Sequence, residues 1–335
     1  MRAIAALAVL LAAGAVAGCG GNDEGSGPIT VYSGREEELV APLFEQFTEE
    51  TGIDVEVRYG DSAELAATIA EEGDNSPADV FFAQDPGSLG ALDAQLAELP
   101  EDVLDRVGER FRDADGRWVG TSGRTRVLVY NTDAVADDEL PASVLELTEP
   151  EWEGRVGIAP TNASFQAFVT GMRLSLGDDA TREWLEGMRD NGAKTYEKNT
   201  PIVEAAASGE IDVGLVNHYY LGLVKEEQPD APIANHLFED GDAGNLVSVA
   251  GAGVLASTDQ DEDAEAFVDF LLTDDAQRFY VEEAEEAEYP LVEGVEPSPG
   301  LVPLDQIEGP DVELTSFGSE LEATVEMLRE TGWLT

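Results

Sequence analysis

The sequence predicts an α/β protein with mixed, mostly parallel sheets and helices on both faces. Short apolar segments of strand length alternate with longer amphipathic segments along most of the chain. Hydrophobic residues make up 43% of the 335 residues and recur in ordered blocks, unlike the composition of a disordered chain. That length suits two modest domains or one large one.

Each predicted element has its own signal. Strand segments are apolar or alternate between apolar and polar residues, because successive side chains of a strand point to opposite faces. We predict strands at residues 29–32, 53–59, 78–83, 126–130, 156–159 and 211–216. Helical segments carry apolar residues three or four apart, and Gly52 and Gly73 mark the ends of the first two. We predict helices at residues 36–51, 63–72, 165–176, 179–191, 201–208, 219–227, 263–272, 274–287 and 318–331.

The charge balance excludes several classes of partner. The chain has 71 Asp and Glu residues against 18 Lys and Arg residues, for a net charge of −53. We therefore expect no binding to nucleic-acid phosphates and no docking on anionic lipid through a basic surface. Such an acidic surface is typical of proteins that work in high salt, where counterions screen self-repulsion. An ordinary acidic extracellular protein is the alternative.

The N-terminal segment predicts export and a lipid anchor. Arg2 is followed by an apolar run at residues 3–17, which is too short to span a bilayer but typical of a secretory signal. The run ends before Cys19, the single cysteine of the sequence, in a pattern that resembles a bacterial lipobox. We predict a signal peptide at residues 1–18, lipidation of Cys19 and a flexible tether at residues 19–28. The protein would then lie outside the cytoplasm, on the outer face of the cell membrane or in the periplasm.

Three strand-to-helix junctions combine groups that bind ligands in α/β proteins, where helix N-termini offer free N–H groups. At the first, Ser33 would cap the next helix, Gly34 would let a ligand approach the backbone, and Arg35 would supply a cation. The second, at residues 160–165, places hydroxyl, amide and backbone donors at a helix start, which suits an anion. A plain helix cap beside a solvated arginine is the alternative for the first junction, and a capping turn with ordinary polar residues is the alternative for the second.

The third junction contains two adjacent tyrosines. Tyr219 and Tyr220 follow a strand where the chain turns into a helix, with Asn217 as the expected N-cap, so both phenols would point into one cleft. A phenol has a pKa near ~10 and ionises at neutral pH only beside a strongly Lewis-acidic cation. Fe³⁺ matches such oxygen ligands, whereas Zn²⁺ or copper would call for cysteine or paired histidine. Aromatic packing, with the hydroxyls at the rim of the core, is the alternative.

Several segments, taken in order, resemble the solute-binding protein of ABC-type ferric iron importers. They extend from about Ile29 to Leu291 and read ITVYSGREEELVAPLFEQFTEETGI, SPADVFFAQD, GTSGRTRVLVYNT, APTNASFQAF, KNTPIVEAAASGEIDVGLVNHYYL and EAEYPLV. The NHYYL sequence after SGEIDVGLV is the most specific of these segments. The resemblance implies a two-lobed periplasmic-binding-protein fold of type II, with hinge strands and ferric iron held between the lobes.

The same resemblance implies the site residues. The paired metal-binding tyrosines of the family correspond to Tyr219 and Tyr220. Its anion-contacting positions correspond to Asn162, Ala163, Ser164, Asn199 and Asn217. Many members carry a histidine ligand where this chain has Glu36, and a glutamate ligand where it has Gln84 followed by Asp85. The carboxylates of Glu36 and Asp85 would still offer oxygen ligands to Fe³⁺; a solvated acid in a first helical turn and a turn residue before a proline are the alternatives.

Carbonate or phosphate would complete the metal shell if the protein supplies too few ligands. Arg35 and Arg124 would clamp that anion as fixed bidentate cations, beside Ser33 of the first junction. A turn residue bonded to carbonyl groups is the alternative for Arg124.

These inferences predict an exported monomer that is not an enzyme. It would capture Fe³⁺ between its lobes and deliver it to an ABC permease with its ATPase. The same fold binding an oxyanion or small organic anion, and a ligand sensor at the membrane, are alternative functions. A hydrolase using Glu36 and Asp85 is disfavoured, because the chain has neither a Gly-x-Ser-x-Gly nor a His-Glu-x-x-His motif.

The predicted domain limits follow the strand order and the family pattern. Lobe 1 would take residues 29–127 and 247–300, and lobe 2 would take residues 128–246 and 301–335. Hinge strands would cross between the lobes near residues 127–130 and 247–250.

Overall fold

The computed structural model describes residues 27–282 and 287–334. The predicted signal peptide, Cys19 and most of the tether lie outside the described residues. Within these ranges nine strands form one mixed sheet. They are β1 (Ile29–Ser33), β2 (Val55–Tyr59), β3 (Val80–Ala83), β4 (Val119–Asn131), β5 (Val156–Ile158), β6 (Lys194–Thr195), β7 (Val213–Asn217), β8 (Ile233–His236) and β9 (Val247–Val254).

The same part of the chain contains eleven α-helices. They are α1 (Glu37–Thr51), α2 (Ser62–Glu72), α3 (Pro86–Gly90), α4 (Glu101–Leu104), α5 (Ala163–Leu176), α6 (Asp178–Asp190), α7 (Asn199–Ser208), α8 (Tyr220–Glu227), α9 (Asp261–Leu271), α10 (Asp274–Glu282) and α11 (Phe317–Glu330). Each predicted helix and strand has a counterpart, although β4 begins well before residue 126. Residues 283–286 of the helix predicted at 274–287 lie outside the described residues. No described helix combines the length and the hydropathy that crossing a bilayer would need.

The sheet is mixed, as predicted. The strand order is β2-β1-β3-β9-β4-β7-β5-β6, and β8 pairs with β4. β1 is parallel to β2 and β3, and β5 is parallel to β6 and β7. Among the described strands, every pair that includes β4 or β9 is antiparallel. Parallel pairing is therefore less dominant than predicted, because long antiparallel strands occupy the middle of the sheet.

The long strand β4 joins two halves of the sheet. Its first part, from Val119 to Thr125, pairs with β9, and its second part, from Arg126 onward, pairs with β7 and β8. This change of partner lies next to the predicted lobe boundary at residue 127, and β9 begins at the predicted return, Val247. The lobe limits themselves stay a prediction.

The C-terminal helix α11 contacts both halves. Gly318 packs so closely on α3 that an added Cβ would overlap the carbonyl oxygen of Gly87. On its other side, the hydroxyls of Thr324 and Thr170 on α5 lie 2.8 Å apart. Since α3 follows β3 and α5 follows β5, α11 bridges the two halves beside the ends of their strands.

Candidate functional site

A cavity of about 890 Å³ lies where the carboxyl ends of strands from both halves meet. Its lining includes Glu36 and Asp85, which follow β1 and β3, and Tyr219 and Tyr220, which follow β7. Open α/β sheets bind ligands at this edge. The fold therefore brings all four residues that we predicted as metal ligands to one cavity.

The two tyrosines lie side by side at the turn between β7 and α8. Their ring centroids are 4.5 Å apart, with the ring planes tilted by 38°. Tyr219 is buried, and Tyr220 is half-buried. The helix begins at Tyr220 with Tyr219 in the N-cap position, so the prediction that Asn217 caps α8 is wrong. Asn217 is the last residue of β7, and its side-chain amide donates to Tyr219 Oη at 3.2 Å.

The predicted anion-contacting residues form a hydrogen-bonded cluster beside the tyrosines. Asn162 caps α5 by accepting from the backbone N–H of Ser164 at 3.0 Å, and it accepts from the Ser164 hydroxyl at 2.5 Å. Asn199, at the start of α7, donates to Ser164 Oγ at 3.2 Å. Ala163, the first residue of α5, also lines the cavity. Donors from two helix starts and one strand end thus meet at one place.

Arg126 completes this cluster, and the sequence patterns did not single it out. Its Nη1 donates to Asn217 Oδ1 at 3.1 Å and to Ser164 Oγ at 3.2 Å, and its Nη2 donates to the Leu215 carbonyl at 2.8 Å. Its Nε is buried without a hydrogen-bond partner among the described residues. The sequence feature that could have identified Arg126 is its spacing of two residues from Arg124, because residues two apart on a strand share a face.

The charge of Arg126 lies close to both phenols. Burial lowers the pKa of Arg126 to about 10, while the nearby Tyr220 and Tyr219 act in the opposite direction. The guanidinium therefore stays protonated at neutral pH and stabilises negative charge that develops in this part of the cavity.

Arg35 and Arg124 also line the cavity, but their charges are paired within the protein. Arg35 Nη2 lies 2.9 Å from Glu288 Oε2, and Arg124 Nη1 lies 3.2 Å from Glu288 Oε1. Burial alone would raise the pKa of Glu288, but the two arginines and hydrogen bonds hold it well below its usual range. Arg124 also donates to the carbonyl of Gln84, in agreement with the alternative of an arginine bonded to carbonyl groups. Glu288 was missed, although it belongs to the EAEYPLV segment.

The first junction differs from its prediction. The Ser33 hydroxyl donates to the backbone oxygen of Arg35 and accepts from its backbone N–H, whereas Glu36 occupies the N-cap of α1 without a side-chain cap. The predicted cap at Ser33 is therefore wrong. An added Cβ at Gly34 would overlap the hydroxyl of Ser62, so this glycine makes room for the start of α2. Gly34 also lines the cavity, and its role in ligand approach stays a prediction.

The two carboxylates opposite the tyrosines differ in their surroundings. Glu36 is exposed, and Asp85 caps α3 by accepting from the backbone and hydroxyl of Ser88, each at 2.8 Å. Within the described ranges, no three His, Cys, Asp or Glu side chains are grouped closely enough to hold a metal ion. A metal in this cavity would therefore depend on the phenol oxygens, with isolated carboxylates or an anion as further ligands.

Known proteins share this fold and about a third of the residues in the aligned sequence. Residues 75–299 match the family model described as bacterial extracellular solute-binding protein. The Fe(3+)-binding periplasmic protein of Serratia marcescens is 34% identical over 99% of this chain and 97% of that protein. The major ferric iron-binding protein of Neisseria meningitidis serogroup B is 35% identical over 91% of this chain and 92% of that protein. The structure of iron-bound HitA from Pseudomonas aeruginosa superposes with a TM-score of 0.83 at 32% identity, covering 92% of this chain and 100% of HitA.

These similarities confirm the predicted fold, which is that of the type II periplasmic binding proteins. The family and the similar proteins bind solutes and are not enzymes, which confirms that prediction as well. The chain belongs to the bacterial extracellular solute-binding proteins.

Proposed function

We propose that this protein captures Fe³⁺ outside the cytoplasm, between two lobes, as the substrate of an ABC importer. The observation that carries the proposal is the pair of phenols, Tyr219 and Tyr220, lining a cavity beside the buried cation Arg126. The ferric iron named for the proteins of Serratia and Neisseria supports the same cargo.

Both phenols lose their protons when Fe³⁺ binds. Tyr219 Oη already accepts a hydrogen bond from Asn217, and such a bond favours the phenolate. Glu36 and Asp85 supply carboxylate oxygens from the other side when the lobes close. Closure is favoured because both lobes then contact the ion. Asp85 binds the metal through lone pairs that its bonds to Ser88 leave available.

A carbonate or phosphate ion completes the shell. Arg126 is its main clamp, because it lines the cavity, none of its bonds to the described residues goes to a carboxylate, and its Nη1 already reaches Ser164 and Asn217. The predicted contacts Asn162, Ala163, Ser164, Asn199 and Asn217 surround this place. Arg35 and Arg124 act from the cavity wall with their charge partly cancelled by Glu288, and Ser33 acts by fixing the turn before Arg35.

The anchor and the delivery step extend the proposal. Lipidation of Cys19 would hold the monomer at the membrane, where the closed form docks on an ABC permease with its ATPase. The full-length protein from a bacterial host should partition into detergent, and Cys19→Ala should move it to the aqueous phase. Equal partitioning of both proteins would refute the anchor.

A ferric titration tests the cargo. Wild-type protein titrated with ferric citrate should develop a visible phenolate-to-iron absorption band, which Tyr219→Phe and Tyr220→Phe should each weaken together with the affinity. Tyr196→Phe is the matched control, because Tyr196 hydrogen-bonds Glu210 away from the cavity lining. A wild type that shows no band and binds phosphate alone tightly would favour the alternative of an anion-binding protein.

A further inference from the structure

In the described part of the chain, three arginines line a cavity whose proposed cargo is a cation. The lining includes Arg35, Arg124 and Arg126, although the whole chain of 335 residues has only 18 Lys and Arg residues. Arg126 hydrogen-bonds neutral groups, whereas Arg35 and Arg124 converge on Glu288. Such a concentration of positive charge repels Fe³⁺ unless something offsets it.

The carboxylate of Glu288 offsets the positive charge of Arg35 and Arg124 at close range. Besides the contacts of Oε2 with Arg35 and of Oε1 with Arg124, its Oε1 accepts from Arg35 Nη1 at 3.2 Å. The Ser122 hydroxyl donates to Oε2 at 2.5 Å. The side chains of Arg35 and Glu288 are each 1% exposed, so water does little to screen these charges. The two arginines with Glu288 carry a net charge of +1, which becomes +2 without the carboxylate.

The backbone around Glu288 is fixed to the middle of the sheet. Gly123 and Tyr289 exchange two backbone hydrogen bonds of 2.8 Å, which ties this segment to β4. Arg124 reaches the carbonyl of Gln84, directly before Asp85. Through its two arginines, Glu288 thus contacts the loops that follow β1 and β3, which carry the carboxylates proposed as metal ligands.

We propose that Glu288 is a specificity-determining residue that keeps the cavity selective for Fe³⁺ with one small anion, by cancelling guanidinium charge and positioning the two loops. This inference rests on the proposed function. Without Glu288, the cavity binds anions more tightly in the absence of iron, and it binds Fe³⁺ more weakly.

Inorganic phosphate is the probe, measured by calorimetry on iron-free protein. Glu288→Gln should bind phosphate roughly tenfold more tightly than wild type, as expected for one unit charge across a partly screened cavity. Asp79→Asn is the control, because Asp79 is a buried carboxylate that accepts from Thr30 N at 2.7 Å and does not line the cavity. It should bind phosphate as the wild type does. Unchanged phosphate affinity in Glu288→Gln would overturn the inference.

A second pair of variants keeps the test decisive if Glu288→Gln does not fold. Arg35→Gln and the double variant Arg35→Gln/Glu288→Gln differ only at residue 288, and in both of them Arg124 stands beside residue 288 without the charge of Arg35. The double variant should bind phosphate more tightly than Arg35→Gln and ferric iron more weakly, and equal affinities would refute the inference. A wild type that binds no ferric iron would refute the proposed function and the selectivity that depends on it, whereas the phosphate comparison, made without iron, tests the charge cancellation by Glu288 separately.

Discussion

Replacing Arg126 with glutamine tests whether its charge makes iron binding depend on an anion. The guanidinium lies 3.1 Å from Asn217 Oδ1, and the amide nitrogen of Asn217 lies 3.2 Å from Tyr219 Oη. One side-chain amide therefore separates the cation from a phenol oxygen. Arg126 repels bare Fe³⁺ but attracts both the phenolates and the accompanying anion.

The magnitude follows from Coulomb's law. The charge centre of an anion clamped by Arg126 would lie roughly 4 Å from the guanidinium carbon, where two unit charges interact by about 4 kcal/mol at an effective dielectric constant near 20. That free energy corresponds to about a thousandfold in affinity, and screening by salt reduces it toward about ten- to a hundredfold. We expect phosphate to raise the ferric affinity of the wild type. In Arg126→Gln, the ratio of the ferric affinities with and without phosphate should be about ten- to a hundredfold smaller.

The assay is ferric affinity measured by competition with a chelator, in carbonate-free buffer, with and without phosphate. Arg110→Gln is the control, because Arg110 bonds the carbonyl of Leu304 outside the cavity lining. The melting temperature of each iron-free variant confirms folding. If Arg126→Gln retained the wild-type ratio of affinities with and without phosphate, the role given to Arg126 would be refuted.

Three further predictions concern stability. Because two arginines lower the pKa of Glu288, its ionised form stabilises the fold above the unfolded glutamate pKa near ~4.3, and this stability is lost as pH falls toward the folded pKa. The difference in melting temperature between wild type and Glu288→Gln should therefore be largest above about pH 5 and shrink toward about pH 2, and a constant difference would contradict the assignment. Gly318→Ala should lower the free energy of unfolding by about 1–3 kcal/mol, because the added Cβ overlaps Gly87. Gly222 has open space around it, so Gly222→Ala should change the free energy of unfolding by less than about 1 kcal/mol. Equal effects of the two substitutions would argue against the close packing of α11. The net charge of −53 predicts a melting temperature that rises from low to molar KCl, and an unchanged value would refute the high-salt interpretation of the surface.

Much of the fold could be predicted because its signals are local. The spacing of apolar residues identified helices such as α1, and Gly52, with φ of 77°, ends it as predicted. Strands β6 and β8 were missed because they are two and four residues long and only half-buried in most positions. The C-terminal half of β9 was also missed, because Gly251 and Gly253 reduce its strand signal, although Gly251 allows β4 to approach closely.

From local sequence alone, the tyrosine pair was the most predictable part of the site, because one segment carries both phenols. Tyr219 and Tyr220 are adjacent, so a single turn places both in the cavity. The roles of Arg35 and Arg124 depend on Glu288, which lies 253 and 164 residues away in the sequence, and no local pattern encodes that separation. Arg126 was missed for the same reason, since its partners come from β7, α5 and α7.

Anomalous diffraction at the iron absorption edge, from crystals of iron-loaded protein, tests the central claim most directly. We predict an iron peak at bonding distance, about 2 Å, from both Tyr219 Oη and Tyr220 Oη. An iron peak elsewhere, or tyrosine hydroxyls that contact only protein while iron is bound, would contradict the account.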